Sequence, residues 1–299
     1  SNKNGRPDFI HLNILVKHGF VALLLKKLKG IPYIITEHWT GYASGKFSRM
    51  NYLEKYWCKK IAENAKAITL VSHSLKKSVA EAGIKNHFFV IPNVVDIPHA
   101  ISTSKNEKKI IASVTDLEDD LKNISGTIRA IARIERIKNK FEFHIIGGGS
   151  DESKLKSLAK ELGLLNKTVF FHGMQTNDYV YEFLKRTDFL VVNSNVETFS
   201  VVSAEALANG KPVIATISGG PEEFISEESG ILIRKGNQQE LEMAILYMLD
   251  FHQTYNAERL KAIVKEKFNA EKVAKQFYEI YQLAATEFVV GLSGEKAVF

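Results

Sequence analysis

The sequence is poor in several features that would mark whole classes of protein. It has one cysteine, Cys58, in 299 residues, so no disulfide can form within the chain. Its apolar run at residues 20–25 is far shorter than the ~20 residues of a membrane-spanning helix, and no stretch has the residue order of a signal peptide. Zinc-ligand spacings, an aromatic RNA-binding signature and the GxxxxGK[ST] phosphate loop are missing too. These absences argue against a disulfide scaffold, a membrane-spanning protein, a nucleic-acid-binding protein and a P-loop NTPase, and favour the cytoplasm.

Positive charge is concentrated in the first third of the chain. The net charge is +6, but residues 1–98 hold 15 Lys+Arg and 6 Asp+Glu, a balance of +9, whereas the remainder has a balance of −3. Such asymmetry indicates an anionic partner for the first part. Because nucleic acid is disfavoured, we expect an anionic membrane surface, with solvated helix faces as the alternative.

Short apolar runs alternate with helical patterns along the whole chain. Strands are predicted at 8–12, 32–36, 67–72 and 87–93, and again at 110–114, 141–147, 168–172, 188–193, 212–216 and 230–233. The predicted helices include a long one at 49–65 and three closing helices near 238–251, 256–267 and 270–285. This alternation is typical of parallel sheets covered by helices on both faces. We therefore expect an α/β fold of two Rossmann-like domains whose parallel sheets face a cleft.

Composition also predicts the domain boundaries. Residues 99–109 are polar and lack periodicity, which indicates a linker between a first domain at 1–98 and a second at 110–270. A helix at 271–286 is expected to pack back on the first domain, and residues 287–299 form a tail with no predicted role.

Two acids, Glu197 and Glu205, lie eight positions apart just after a strongly apolar predicted strand. Ser200 is predicted to cap a helix that begins at Val201, and Gly210 to end it. The amides and the dipole of a helix start suit a phosphate group. Carboxylates beside a phosphate repel it, so they indicate a ligand that also carries hydroxyl groups. Taken alone, the two acids fit a structural interpretation equally well, in which one stabilises the helix dipole and the other is an exposed residue of the helix.

The segment ETFSVVSAE, which holds both acids, resembles the E-x7-E motif of the retaining nucleotide-sugar glycosyltransferases of family GT4, which have the GT-B fold. Its neighbours follow in the family's order: KKIIASV and LKN, FEFHIIGGGSDESKLKSLAKELGL, VFFHGMQ, KRTDFLVVNS, ALANGKPVIAT, SGGPEEFI and GILI. Before the linker, PDFIHLN, GIPYIITEHWTGY, AITLVSHSLKKSVAEAG and VIPNVVD are similar to the later part of the family's first domain. The resemblance covers about residues 7–285.

The resemblance implies a hexosyltransferase that uses a nucleotide-diphosphate sugar, retains anomeric configuration and needs no metal or cofactor. UDP or GDP is the expected nucleotide, and the acceptor is a glycan or a lipid-linked sugar in envelope polysaccharide synthesis. The second domain would bind the donor and the first the acceptor, at the inner membrane face. The implied catalytic residues are Glu197, Lys122 and His38. The implied donor-binding residues are Glu205, Thr198, Phe199, Ser200, Val201, Met174 and Gln175.

Within that resemblance each residue has a role. Glu205 would hold the ribose and Glu197 the sugar hydroxyls, while Lys122 and the amides around Ser200 would hold the diphosphate. Stabilising the departing diphosphate lowers the barrier to transfer. His38 would face the donor sugar, and Met174 with Gln175 would lie near the base.

Three features depart from the family pattern. Asp116 occupies or adjoins the place of a diphosphate-binding arginine, and an acid there opposes the phosphates. Thr198 replaces a glycine. The chain also begins well into the first domain, so that domain is expected to be incomplete on its acceptor side.

Three alternatives remain open. The glycines of IIGGGSDESK suggest an NAD-dependent oxidoreductase, although Glu152 stands where the third glycine of GxGxxG belongs. The acids at 118–120 suggest a metal-dependent transferase. Asp116 and the missing start suggest a non-catalytic subunit that binds sugar nucleotides or a partner.

Overall fold

The computed structural model describes residues 7–100 and 107–293, with residues 17 and 286–293 described by their backbone alone. Residues 101–106 of the predicted linker and 294–299 of the predicted tail lie outside the described residues. The chain forms two compact units. Unit 1 contains Ser1–Asn93 and Ala270–Phe299, and unit 2 contains Val94–Asn269.

Unit 1 is built on a four-stranded parallel sheet in the order β1-β2-β3-β4. Its strands are β1 (Ile10–Asn13), β2 (Tyr33–Glu37), β3 (Ile68–Leu70) and β4 (Phe88–Val90). The helices of its first segment are α1 (Leu15–Lys29), α2 (Lys46–Arg49), α3 (Tyr52–Asn64) and α4 (His73–Glu81). Strand β2 is buried throughout, as its apolar sequence predicts for a central parallel strand.

The helix predicted at residues 49–65 is confirmed as α3 (Tyr52–Asn64), but its start is not, because Arg49 belongs to α2. The break falls at Asn51, whose side chain accepts a hydrogen bond from the Glu54 amide at 2.9 Å. The Glu54 carboxylate accepts in return from the Asn51 amide at 3.0 Å. This reciprocal capping box starts a new helix and so separates α3 from α2.

Unit 2 is built on a six-stranded parallel sheet. Its strands are β5 (Lys109–Val114), β6 (Phe141–Ile146), β7 (Val169–Phe171), β8 (Phe189–Val192), β9 (Val213–Thr216) and β10 (Gly230–Ile233). Its helices are α5 (Asp119–Lys122), α6 (Ile124–Glu135), α7 (Glu152–Glu161), α8 (Asn177–Arg186), α9 (Val201–Ala208), α10 (Gln238–Phe251) and α11 (Ala257–Phe268). Each strand lies within two residues of its predicted bounds.

The order of the second sheet, β10-β9-β8-β5-β6-β7, contains one switch point. From β5 the chain moves outward through β6 and β7, and then returns to place β8 on the other side of β5. In open α/β sheets, ligands bind outside the carboxyl ends of the strands at such a point. The segments that follow β5 and β8 carry Lys122 and Glu197.

Two glycines let the segment after β5 approach the segment after β6. A Cβ atom on Gly147, whose φ is +140°, would lie 1.9 Å from the Thr115 carbonyl oxygen. A Cβ atom on Gly149 would lie 2.7 Å from the backbone of the buried Leu117. The run of glycines therefore serves a close backbone contact, and this use accounts for it without a dinucleotide fingerprint.

The last helix, α12 (Ala270–Ser293), belongs to unit 1. Its buried side chains Val273, Ile280 and Ala284 form one core cluster with Ile34 of β2 and Ala67. A hydrogen bond of 3.0 Å joins the Tyr281 hydroxyl to Nδ1 of His11. The sheet of unit 1 is thus completed by residues that follow the whole of unit 2 in sequence.

Candidate functional site

The segment after β8 is fixed by backbone bonds to the segment after β9. The Glu197 amide donates to the Ser218 carbonyl at 3.1 Å, and the Gly220 amide donates to the Glu197 carbonyl at 2.9 Å. A Cβ atom on Gly220 would lie 2.4 Å from the Phe199 Cα atom, so only glycine permits this approach. The position of the Glu197 backbone is therefore set from both sides.

Phe199 anchors the same segment from below. Its buried ring lies 5.5 Å from the Phe224 ring and 5.0 Å from the Phe268 ring, and those two rings are 5.3 Å apart. Both contacts of the Phe268 ring are edge-to-face, a geometry that favours one orientation of the rings. Phe199, predicted to contribute a phosphate-binding amide, places its side chain in the core of unit 2.

Glu197 and Lys122 form an ion pair at the switch point. The Lys122 Nζ atom donates to Glu197 Oε1 at 2.7 Å, and the Ser194 hydroxyl donates to the same oxygen at 2.7 Å. The two charged side chains are only 16% and 12% exposed. Two of the three residues for which a catalytic role is predicted are thus in direct contact, 75 positions apart in sequence.

Lys122 ends the short helix α5, whose first residue, Asp119, has structural partners. The Asp119 carboxylate accepts from the Ser125 amide at 2.8 Å, and the Asp119 amide donates to Asp151 at 2.8 Å. Asn195 donates its amide hydrogen to the Leu121 carbonyl at 2.7 Å. Part of the acidic run at 118–120 therefore shapes the loop that presents Lys122.

Ser200 does not cap α9 in the way that the sequence predicts. It occupies the N-cap position, but its backbone is left-handed, with φ 71°, and its side chain accepts no bond from the helix amides. Its hydroxyl instead pairs with the Ser203 hydroxyl at 2.7 Å. Within the described part of the chain, no acceptor is found for the amides of Val201 and Val202, so they remain available to a ligand.

A cavity of about 310 Å³ lies at the carboxyl edge of the second sheet, over the switch point. Its lining residues are Val114, Thr115, Asp116, Lys122, Ile146, Gly147, Met174, Gln175, Asn177, Val180, Glu197, Ser200, Val201 and Val202. Six of the ten residues predicted to form the site therefore line this cavity. Asp116, predicted to oppose a phosphate, lines the same cavity and is exposed.

Glu205, Thr198 and Phe199 are not among the lining residues. Glu205 is half-buried on the second turn of α9, and burial together with the nearby Asp96 raises the pKa of its carboxyl group. No hydrogen bond to its carboxylate is found among residues 7–100 and 107–293. A half-buried carboxylate without a donor carries a desolvation cost that a bound hydroxyl group would relieve.

Sequence reasoning missed the groups behind Met174 and Gln175. The Gln175 side-chain amide donates to the His172 carbonyl at 2.6 Å. Nδ1 of His172 lies 2.8 Å from the Tyr179 hydroxyl, and Nε2 lies 2.9 Å from Nδ1 of His144. These side chains come together only through the register of β6 on β7, so no local sequence motif predicts their contact.

The third predicted catalytic residue, His38, belongs to unit 1 and follows β2. Its amide and that of Trp39 donate to Oε1 of the buried Glu37 at 2.9 and 2.8 Å, while the Leu15 amide donates to Oε2 at 3.2 Å. Burial lowers the pKa of His38, and the neighbouring His11 lowers it further. Glu37, for which the sequence predicts no role, thus fixes the backbone that carries His38.

Two kinds of site are not found among the described residues. No group of three or more His, Cys, Asp or Glu side chains is disposed to hold a metal ion in that part of the chain. No helix there is long and apolar enough to cross a membrane.

The two units with parallel sheets form an α/β fold like that of GT-B glycosyltransferases, with a cavity at the switch point of the larger sheet. Residues 96–267, more than half of the chain, match the family model described as glycosyl transferases group 1. The chain belongs to this family. Residues 2–98 match a second model, described as glycosyltransferase family 4.

Curated relatives that match over most of the chain carry glycosyltransferase names. The chain is 29% identical over 280 residues to an uncharacterized glycosyltransferase of Methanocaldococcus jannaschii, covering 90% of this chain and 71% of the relative. It is 26% identical over 290 residues to N-acetyl-alpha-D-glucosaminyl L-malate synthase of Bacillus anthracis, covering 92% and 74%. These relatives favour a transferase over a non-catalytic subunit.

Solved structures show the same fold at low sequence identity. Anabaena HepE in complex with UDP and glucose has a TM-score of 0.81 at 21% identity, with 92% of this chain and 77% of HepE covered. Staphylococcus aureus TarM has a TM-score of 0.77 at 19% identity, with 88% of this chain covered. The chain spans about half of TarM, 53% of its length.

Proposed function

We propose that this glycosyltransferase transfers a hexose from a nucleotide-diphosphate sugar to a glycan or lipid-linked acceptor, with retention of configuration and without a metal ion. The observation that supports this proposal is the cavity at the switch point, which is lined by Lys122, Glu197 and the first residues of α9. UDP or GDP is the proposed nucleotide.

The diphosphate is assigned to Lys122 and the first amides of α9. These amides have no acceptor in the described part of the chain, and the helix dipole adds a partial positive charge there. When the bond between sugar and phosphate breaks, negative charge develops on the departing diphosphate. A lysine and two amides already in place stabilise that charge and so lower the barrier.

Glu197 is assigned to the hydroxyl groups of the donor sugar. Lys122 and Ser194 both bond to Oε1, which holds the carboxylate in one orientation at the cavity wall. Glu205 is assigned to the ribose, Met174 and Gln175 to the base, and His38 of unit 1 to the donor sugar. No enzymic nucleophile is assigned.

Binding of the donor is tested by calorimetry with UDP, GDP, ADP and their common sugars, on the wild type and on Glu205→Ala. Glu161→Ala, which removes an exposed acid at the end of α7, is the matched control. Micromolar binding of one nucleotide, at least tenfold weaker in Glu205→Ala alone, supports the proposal. Failure of the wild type to bind any of these compounds contradicts it.

Catalysis is tested separately with the nucleotide sugar that binds. Donor turnover that persists in EDTA, and a product whose anomeric configuration by NMR equals that of the donor, are expected. Loss of turnover in EDTA, restored by a divalent cation, would instead favour the metal-dependent alternative.

We further propose that unit 1 docks on an anionic membrane surface, which places the enzyme at the inner face of the membrane for envelope polysaccharide synthesis. Among the described side chains, nine exposed apolar ones lie on α1 and α3: Val16, Phe20, Val21, Leu24, Leu28, Tyr52, Leu53, Tyr56 and Trp57. An edge-to-face contact of 5.4 Å between Phe20 and Trp57 joins the two helices into one surface.

Lysines accompany these apolar side chains, including Lys27 and Lys29 in the last turn of α1. Apolar insertion and lysine attraction to anionic lipid act together on such a face. Sedimentation with phosphatidylglycerol vesicles should decrease as salt rises and should decrease in Leu28→Glu. Ile137→Glu, an equally exposed apolar position of unit 2, is the control. Binding that ignores salt, or equal losses in both variants, contradicts the docking proposal.

A further inference from the structure

Four polar side chains form a continuous hydrogen-bonded chain through unit 2. Nε2 of His144 lies 3.3 Å from the Glu142 carboxylate, and Nδ1 of His144 lies 2.9 Å from Nε2 of His172. Nδ1 of His172 lies 2.8 Å from the Tyr179 hydroxyl. We call these residues the histidine chain. It runs from β6, past the end of β7, to the first turn of α8.

The carboxylate at one end fixes the direction of every proton in the histidine chain. Glu142 in its ionised form can only accept, so His144 donates through Nε2 and accepts through Nδ1. His172 must then donate through Nε2 to His144, and its Nδ1 accepts the proton of the Tyr179 hydroxyl. Both imidazoles are therefore neutral and protonated at Nε2. One added proton leaves the histidine chain intact, because His144 can then donate through Nδ1 to Nε2 of His172, and His172 through Nδ1 to the Tyr179 oxygen. A second proton makes Nδ1 of His144 and Nε2 of His172 both donors, which breaks the bond between the two rings.

The segment held by this chain forms part of the wall of the cavity described above. Met174, Gln175, Asn177 and Val180 line the cavity. The Gln175 side chain is bonded to the His172 carbonyl, and the Thr176 hydroxyl accepts from the Tyr179 amide. The wall is thus attached to the histidine chain at both ends.

We propose that the histidine chain positions the wall assigned to the nucleotide base, and that protonation of both its imidazoles in acid releases that wall and weakens donor binding. The inference rests on the proposed donor site. His144, His172 and Tyr179 are positioning residues in this proposal, because they act through Met174 and Gln175.

The surroundings of the imidazole pair favour its neutral form. The His144 ring is stacked on the Phe170 ring, with 5.0 Å between their centroids. Burial is the main cause that lowers the pKa of His144 to about 4, and the charge of His172 is the second. Burial also lowers the pKa of His172, with a further contribution from Arg186 of α8. The other charged neighbours are Glu142 and Lys108, which form a salt bridge of 2.9 Å.

Tyr179→Phe tests the proposal, with Tyr181→Phe as a matched control. Tyr181 lies on the same helix and is half-buried, and no hydrogen bond of its hydroxyl is found among the described residues. Loss of one neutral hydrogen bond is worth roughly a 3- to 10-fold change in an equilibrium constant. We expect UDP-glucose affinity at pH 7.5 to fall by that factor in Tyr179→Phe and to stay unchanged in Tyr181→Phe.

The pH profile separates positioning from a general loss of structure. UDP-glucose keeps its charge between pH 7.5 and 3.5, a range that includes the pKa of about 4 for His144, so changes in its affinity report on the protein. The affinity of Tyr181→Phe should fall more steeply with acid than that of Tyr179→Phe, in which the histidine chain is already broken. Protonation of Glu205 contributes equally to both variants. Parallel profiles would overturn the proposal.

Hydrogen exchange tests the positioning of the wall without any nucleotide. The amides of residues 173–177 should exchange faster in Tyr179→Phe than in Tyr181→Phe at pH 7.5. If the wild type binds no nucleotide sugar but this difference is seen, the proposed donor site fails and the positioning of the wall stands. Equal exchange in the two variants overturns the inference, whatever the wild type binds.

Discussion

Removing Lys122 should cost more stability than removing its ion pair as a whole. At 2.7 Å and an effective dielectric constant of about 20, the attraction between Lys122 and Glu197 is about 6 kcal/mol before desolvation is subtracted. Breaking a buried pair by removing one partner costs about 3–5 kcal/mol, because the other charge stays buried. Both side chains retain some exposure, so we expect a loss of about 2–3 kcal/mol for Lys122→Met.

The double variant Lys122→Met/Glu197→Gln should recover much of that loss. The side-chain carbonyl oxygen introduced by Glu197→Gln could still accept from Ser194, and no uncompensated charge remains. We expect a coupling free energy of about 1.5–2 kcal/mol in the double-mutant cycle, within the range for residues in contact. The more exposed pair of Lys156 and Glu152, whose side chains are 44% and 29% exposed at the same separation of 2.7 Å, is the control. Its coupling should stay below about 0.5 kcal/mol.

The assay must follow unit 2. Both tryptophans, Trp39 and Trp57, belong to unit 1, so their fluorescence reports on the wrong part of the chain. Urea unfolding at pH 7.5 should therefore be followed by far-UV circular dichroism, with the transition of each unit fitted separately because a two-unit chain need not unfold in one step. A coupling below about 0.5 kcal/mol for Lys122 and Glu197 would refute the reasoning, since it would equal that of an exposed pair.

Two further changes test how the site and its unit are held together. Gly220→Ala places a methyl group 2.4 Å from the Phe199 Cα atom and should destabilise unit 2 by about 1–3 kcal/mol in urea unfolding. Gly148→Ala is the control, because its methyl group meets only ordinary contacts and should cause no such loss. Equal losses in the two variants would contradict the steric argument. Burial alone would raise the pKa of Asp188, but the His252 side chain and a backbone amide lower it below its usual value. The stability that this carboxylate contributes is therefore present above its unfolded pKa of about 3.9 and is lost as pH falls through the lower folded pKa. The free energy of unfolding should depend less on pH between pH 2 and 5 in Asp188→Asn than in the wild type. An unchanged pH dependence would contradict this role of the Asp188 carboxylate.

The sequence predicted the sheets well because parallel strands buried on both faces are continuous apolar runs. Strand β8 is an example, with all four residues buried. It also predicted that Glu197 and Lys122 share a site, although only through the resemblance to a family. Their direct contact depends on the switch point between β5 and β8, and no local pattern encodes the order of strands.

Two features of the site could not be predicted, for different reasons. Serine is a favoured residue type at the N-cap, but the Ser200 backbone is left-handed and its hydroxyl is bonded to that of Ser203. Both features depend on the packing around α9. The pairing of His144 with His172 depends on which residue of β6 lies beside which residue of β7. A histidine within an apolar strand gives no sign of its partner.

The return of α12 to unit 1 has a consequence for synthesis of the protein. Ile34 and Ala67 leave the ribosome early, whereas Val273 and Ile280, which complete their core, follow only after residues 94–269 have been made. Unit 2 is continuous in sequence and can fold as it emerges. One face of the sheet of unit 1 stays uncovered during that time, so a ribosome that stalls within unit 2 leaves a nascent chain with an apolar surface that chaperones or proteases can recognise.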